Sequence, residues 1–461
     1  MTPHPQMAHR LICNNIADNN NGHYVLVILQ RALRAHLNPA LDAAIYHAKE
    51  VNCGVVLYYE LDMCHPAMSK RTAYFALGAF SELARDLEKS NITLIQHIRS
   101  VDEDATLHHI MASARAVYYD ADYTHYDRAA TQRIQTASTQ YCCAVDASRL
   151  VPLSALSNNL SSTPAFRKAS SALREHYADY QSLTINDIKP VTGIDMSFYH
   201  YTNISDIDIR HMLDCLSFNH DIAIAENHLP RQTEMKTRLQ RLREHILAKY
   251  KWTRNNPALQ YSTSELSPYL HFGMLSPFEL WNAITDCNIP KSYTWKFRDE
   301  AFTWREWSHY QAYYNPHLHC YNTLPKWALD TLENHKEDTR TELLPDCDIV
   351  AGHTPDIVFN AAVREWVRTG WLHNNLRMYW SKQILRFTPS PEHAWKLACH
   401  INDVYSLDGR DPATYASMRW AFGEARKAYS ERPIYGWIAP KSSAALLKRS
   451  GMTEWIEQRN D

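Results

Sequence analysis

No tryptophan occurs in the first 251 residues of this 461-residue chain, and all thirteen follow from Trp252 onward. So uneven a distribution marks two parts built for different purposes, with a boundary well before residue 250. Other absences exclude whole classes. No apolar run approaches the roughly 20 residues needed to cross a bilayer, and the opening stretch MTPHPQMAHRLICNNIADNNNGHY has no apolar signal-peptide segment. A cytoplasmic protein with no membrane partner is expected. None of the ten cysteines falls in a Cys-x-x-Cys spacing, and the adjacent Cys142 and Cys143 are poorly placed to bridge each other. Reduced thiols serving as small buried residues are expected. The 25 histidines match no zinc pattern such as His-Glu-x-x-His, so no metal site is expected. No Gly-x-Gly-x-x-Gly, Walker loop or Gly-x-Ser-x-Gly elbow is present, which removes three common nucleotide and hydrolase signatures. The net charge of −2 gives no global nucleic-acid signature, yet residues 364–459 hold fifteen Lys/Arg against nine Asp/Glu, enough for a local phosphate-facing patch.

What is present falls into two patterns. Up to about residue 120, short apolar runs (24–30, 54–61, 92–98, 114–120) alternate with amphipathic stretches (38–51, 71–90), the order of a parallel α/β sheet. VPLSALSNNLSSTPAFRK, 151–168, is Ser/Asn-rich and reads as the start of a linker. From about 206 the periodicity is helical, with long segments at 231–250, 296–313, 357–369, 374–387 and 391–402. The expected organisation is an α/β, Rossmann-like domain over 1–155, a linker over 156–205 and an all-α domain over 206–461.

Chemistry concentrates in the helical part. In LRMYWSKQILRF, 376–387, a 3.6-residue period puts Arg377 on one stripe with Trp380, Ile384 and Phe387, while Lys382 and Arg386 fall on the opposite side. A guanidinium on an apolar stripe needs an anionic partner, and Asp408 in the loop-like SLDGRDP is a candidate. STSELSPYLHFG, 262–273, gathers hydroxyls before a Pro-containing helix start; it suits either a phosphate or a simple capping box. Glu300, Trp304 and Trp307 share a helical face, projecting a carboxylate together with an aromatic plane.

These motifs converge. TSELSPYLHFG, DEAFTWREWSHYQAYYNP, LRMYWSKQIL and INDVYSLDGRDPATYASMRWAFG, in that order, resemble the photolyase/cryptochrome family and, within it, the class II cyclobutane pyrimidine dimer photolyases. The resemblance is dense from about residue 250 to 436 and looser in the α/β part. It implies FAD in the helical domain, an antenna pigment such as a deazaflavin or a folate in the α/β domain, and UV-damaged DNA as the partner of a monomeric light-driven lyase. Carried over, Tyr250 and the run Thr263, Ser264, Glu265, Leu266 and Ser267 would hold the flavin, with Arg377 and Asp408 paired beside its ring and Asn402 at its edge. Glu300, Trp304 and Trp420 would surround a flipped dimer with Met378, and Arg254 would enter the gap left in the duplex. Trp380 would carry electrons. The family's next two relay tryptophans are matched by Phe359 and Phe387, so slow photoreduction is expected unless Trp366, Trp371 or Tyr379 offers another route. The competing reading is a cryptochrome-type photoreceptor without repair activity.

Overall fold

The computed structural model describes residues 5–14, 16–100, 104–185, 188–191, 209–220, 222–425 and 427–459. Two structural layers follow one another along the chain. The first is a six-stranded sheet made of β1 (Leu11–Cys13), β2 (Tyr24–Leu29), β3 (Gly54–Asp62), β4 (Thr93–Arg99), β5 (Ala114–Asp120) and β6 (Tyr141–Val145), in the order β1-β6-β5-β2-β3-β4. All neighbours are parallel except β1, which runs antiparallel to β6 at the edge. The YVLVIL of β2 is buried on both faces, as a central parallel strand covered by helices must be. The order reverses between β2 and β5, so the crevice at the carboxyl ends of β2 and β5 is the topological switch point.

The second part is helical, with Lys291–Asp299, Arg305–Tyr314, Ile357–Thr369, Asn374–Phe387, Pro391–Tyr405 and Pro412–Arg419 as its main helices. It also carries a small antiparallel hairpin, Lys427–Arg432 with Gly436–Ile438, where the period suggested only helix. Within the expected linker two short helices form, Thr163–Ser171 and Arg174–Ala178, and Phe166 packs tilted against Trp307 and Tyr310; residues 186–187 and 192–205 of that stretch lie outside the described residues. One apolar core runs from the sheet into the helical part, through Leu242, Ile246, Tyr269, Phe272 and Phe278.

Two expectations need correction. Cys13 and Cys143 stand opposite each other in the β1–β6 register and form a disulfide, so these thiols are not free. Their 130-residue separation hid the pairing, which only the added edge strand creates. Lys382 does not face water: helix Asn374–Phe387 is buried on every side except at Asn374 and Arg386, and the Lys382 ammonium donates to the Ala439 carbonyl. Burial brings its pKa down to about 8. Among the described residues no helix is long and apolar enough to cross a membrane, and no group of three or more His, Cys, Asp or Glu is arranged to hold a metal.

Candidate functional site

Helix Asn374–Phe387 begins with a side-chain cap: His373 Nδ1 accepts from the Asn375 amide at 3.0 Å. Three residues into the helix, Arg377 Nη2 donates to Asp408 Oδ1 at 2.8 Å, and both residues are under one-tenth exposed. The guanidinium also lies 5.5 Å from the centre of the Trp366 ring. Asp408 reaches this position because Gly409 lets the loop press onto the end of helix Pro391–Tyr405. A Cβ there would sit 2.5 Å from the Asn402 carbonyl oxygen. Asp411 then caps helix Pro412–Arg419, accepting from Ala413 N–H at 2.9 Å. Its other oxygen faces His271 at 3.2 Å. Burial opposes charge on Asp411, but His271 and His309 overcome it and hold the carboxyl well below the usual range.

A cavity opens beside this pair. It is lined by Tyr250, by Thr263, Ser264, Glu265, Leu266 and Ser267, and by Arg305, Trp371, Arg377, Asp408, Thr414 and Ser417. The hydroxyl-bearing turn is locked in shape. Glu265 sits at φ 53°, the left-handed region that a non-glycine residue adopts at a cost of about 1–3 kcal/mol. Its carboxylate is gripped by Arg238 and lies 3.5 Å from His228. Burial alone would raise its pKa, yet these two partners hold it at about 2. Trp371 Nε1 donates to Ser267 Oγ at 3.2 Å, which fixes the opposite wall.

One polar atom of the cavity lining, Arg377 Nε, is buried without a hydrogen-bond partner among the described residues. His373 Nε2, Asn402 Oδ1 and Trp380 Nε1 are likewise buried and unpaired among the described residues, but their residues do not line this cavity. Buried polar groups are nearly always paired, so the free guanidinium N–H is a donor left for a polar ligand. Hydroxyls, an ion pair and a free donor on one cavity form a set that suits a phosphate-bearing heterocycle. FAD fits that description.

The remaining candidates lie on a second surface. Glu300 opens a single π turn, Glu300–Trp304, between helices Lys291–Asp299 and Arg305–Tyr314, and Trp420 opens another, Trp420–Glu424. Such turns re-aim side chains and recur at functional sites. Trp304 and Trp420 are each more than one-third exposed, Trp420 with the Lys382 ammonium 5.8 Å from its ring centre. Arg254 Nη1 and Lys296 Nζ hold Glu300 Oε1 at 2.9 and 2.7 Å. Met378 and Asn402 are buried, and the Asn402 amide donates to Ala398 O at 2.8 Å. The structure thus brings together Arg377 with Asp408, Tyr250 with the 263–267 run, and Arg254 with Glu300, whereas Trp304 and Trp420 lie on different turns with no direct ring contact between them.

Around Trp380 the rings form a fork. Phe359 stacks on it at 5.4 Å, with Phe387 a further 5.3 Å away, and Trp366 meets it edge-on at 5.3 Å. Tyr405 lies 6.3 Å beyond Trp366. Sequence reasoning did not single out Trp371, Arg305, Thr414 or Ser417 as cavity residues. Ser417 follows Asp411 and Thr414 at three-residue steps along one helix face, and that spacing is the signal that could have found it.

A DNA photolyase family model matches residues 25–186. Over 448 residues, 95% of this chain and 94% of the relative, the sequence is 27% identical to a deoxyribodipyrimidine photo-lyase of Methanothermobacter thermautotrophicus. The fold is similar to that of an archaeal photolyase from Sulfolobus tokodaii with two FAD molecules, at a TM-score of 0.65 and 17% identity over 94% of this chain and 89% of that one. It is similar to a Synechocystis cryptochrome at a TM-score of 0.63 and 17% identity, over 91% and 86% of the two chains. The sequence matches support the photolyase/cryptochrome family, and the structural likenesses show that the fold is the same.

Proposed function

We propose that this chain, in a family of photolyases and cryptochromes, is a light-driven lyase that repairs cyclobutane pyrimidine dimers in DNA, of the class II type. The observation that carries this reading is the pairing of two surfaces. A cavity lined by the buried Arg377–Asp408 pair also takes Tyr250 and Arg305 into its walls, and next to these in the chain and in space stand the half-buried Glu300 carboxylate and the exposed Trp304 indole. A photoreceptor needs the first; only an enzyme that handles a damaged base needs the second.

FAD bound in reduced form would supply, on absorbing light, the electron that opens the cyclobutane ring. The protein's own part is placement. Thr263, Ser264 and Ser267 offer hydroxyls to phosphate oxygens, Arg377 and Asp408 fix charge beside the ring system, and Asn402 Oδ1 offers an acceptor. Trp304 and Trp420 offer flat faces to a lesion taken out of the stack, where unstacking is cheapest because the damaged bases already stack poorly. Arg254 is held by Glu300 in the free protein. Its move into the duplex gap would break that pair and let the Glu300 carboxyl face the pyrimidine carbonyls, where, carrying or sharing a proton, it would donate a hydrogen bond to the oxygen on which negative charge develops.

A second chromophore has a place in the same reading. A cavity of about 450 Å³ lies between the carboxyl ends of β2 and β3 and the helical part, with Arg31, Arg99, Arg133 and Arg410 among its walls. It sits close to the topological switch point, where α/β sheets bind ligands. Whether a deazaflavin, a folate or a flavin fills it is decided by extraction and mass spectrometry of the purified protein.

The test is a comparison of lesions. Oligonucleotides carrying one cyclobutane dimer or one (6-4) photoproduct are illuminated with the reduced, flavin-loaded protein. Loss of the cyclobutane dimer alone is expected; repair of neither lesion would leave the photoreceptor reading.

A further inference from the structure

Beside Glu300 the surface carries aromatic side chains that the proposed site does not use. Trp252 is 63% exposed, and its ring lies 5.5 Å from that of Tyr293, edge to face, with Tyr293 itself 41% exposed. Single exposed aromatics are ordinary, but two in contact with each other and with water is a costly arrangement. Cations surround them. Lys251 Nζ lies 5.4 Å from the Trp252 ring, and Lys296 follows Tyr293 by one turn. Lys249 and Lys291 are also exposed. Of these cations Lys291 lies 4.0 Å from Glu175, and Lys296 is shared between Asp299 and Glu300, which Arg167 and Arg254 also hold; Lys249 and Lys251 have no ion pair among the described residues.

The geometry links this patch to the lesion surface. Tyr293, Lys296 and Glu300 lie at steps of three and four on one helix face, so they form a stripe. Seven residues from Tyr293 to Glu300 span about 10.5 Å at 1.5 Å per residue. For bases that stay stacked at about 3.4 Å along the strand, that length is roughly three steps. A basic stripe interleaved with exposed aromatic faces has the chemistry of a single-strand platform: cations track phosphates, and rings stack on unpaired bases.

We infer that the Trp252–Tyr293 pair is a stacking platform for an unpaired nucleobase about three nucleotides from the flipped lesion. The protein therefore holds locally melted or single-stranded DNA beyond the lesion itself. This rests on the repair reading, and deepens it by naming the state of the DNA that is bound.

The test uses the full-length, flavin-loaded protein and 15-mer oligonucleotides with a central cyclobutane dimer, single-stranded or with mismatches flanking the dimer. Trp252→Ala, at an exposed position, should keep its melting temperature and flavin content. It should bind these oligonucleotides about tenfold more weakly, within the range for loss of one stacked base. Trp252→Phe should restore most of the affinity. The dependence of affinity on salt should not change in either variant, whereas Lys251→Ala should flatten it by roughly one phosphate contact. An abasic site placed three nucleotides from the dimer, on the side that contacts the platform, should abolish the difference between wild type and Trp252→Ala. Unchanged affinity of Trp252→Ala on these probes overturns the platform. So does a change confined to the sedimentation behaviour of the free protein, which would make the patch a self-association surface. Should the wild-type protein not distinguish dimer-containing from undamaged DNA, the repair reading fails, and that outcome is separate from the other two.

Discussion

Removing Asp408 is the sharpest perturbation of the cofactor cavity. The Arg377–Asp408 contact is 2.8 Å long between side chains that are 8% and 12% exposed, and Arg377 Nε has no other partner. Deleting the acid leaves a buried guanidinium with, among the described residues, the face of Trp366 alone for compensation. Breaking a buried pair from one side costs about 3–5 kcal/mol. For a domain near 250 residues, at about 2 °C per kcal/mol, Asp408→Ala should melt roughly 6–10 °C lower. Ligand linkage sharpens the assay, because a ligand that binds the native state raises the melting temperature by mass action. Added FAD should stabilise the wild-type protein stripped of flavin and leave Asp408→Ala unmoved. The double variant Arg377→Met/Asp408→Leu separates folding from binding. Apolar residues of similar size tolerate the buried position, so it should regain most of the stability and still take up no flavin. Full flavin occupancy in Asp408→Ala, with a melting temperature close to wild type, would refute the reasoning.

Three further outcomes follow from the geometry. Trp420→Ala should weaken binding to dimer-containing DNA by about 1–3 kcal/mol with little effect on undamaged DNA, whose affinity rests on phosphates; equal losses on both would remove Trp420 from the lesion surface. Because Trp366 meets Trp380 at 5.3 Å while Phe359 and Phe387 are hard to oxidise, Trp366→Phe should abolish most photoreduction of the oxidised protein in an external thiol, and Trp371→Phe should not. Repair by chemically reduced protein should survive Trp366→Phe, and equal bleaching rates in wild type and Trp366→Phe would rule this path out. Acid should destabilise the fold below about pH 6.5. Burial depresses His65, His125 and His373 to about 3, and burial with Arg31 depresses His271 to about 4, so over this window the unfolded chain takes up protons that the native one refuses. Burial raises Asp42 to about 7 and Asp403 to about 6, and these two work the other way, gaining stability as pH falls. The net is one to two protons, or about 2 kcal/mol per pH unit near pH 5.5. A melting temperature that stays flat from pH 7 to 5 would contradict it, and Asp42→Asn should steepen the fall.

The residues also show what a sequence can and cannot carry. Strands β2 to β5 announced themselves because each is an apolar run between amphipathic helices. β1 and β6 did not, since strands of three and five residues are too short to show a periodicity of their own. The need for an anion near Arg377 was legible from helical period alone, and SLDGRDP offered one. Yet the 3.6-residue reading misjudged Lys382, because a helix buried along nearly its whole length has no broad solvent face to locate. The cavity wall made by Trp371 and Arg305 depends on segments more than sixty residues apart coming together, which local patterns do not encode. The same holds for the Cys13–Cys143 bridge and for Trp366 beside Trp380, where the sequence offered three alternative relay residues and only packing separates them.

The most direct test of the account is a light-dependence measurement on a single defined substrate. The purified, reduced, flavin-loaded protein is mixed with a DNA strand carrying one cyclobutane pyrimidine dimer, and absorbance near 260 nm is followed in the dark and under near-ultraviolet or blue light. Recovery of the pyrimidine absorbance in the light, none in the dark, and a clear loss of yield in Glu300→Ala with a smaller loss of binding are the expected results. A protein that binds the strand and holds reduced flavin but leaves the dimer intact under illumination would contradict the account.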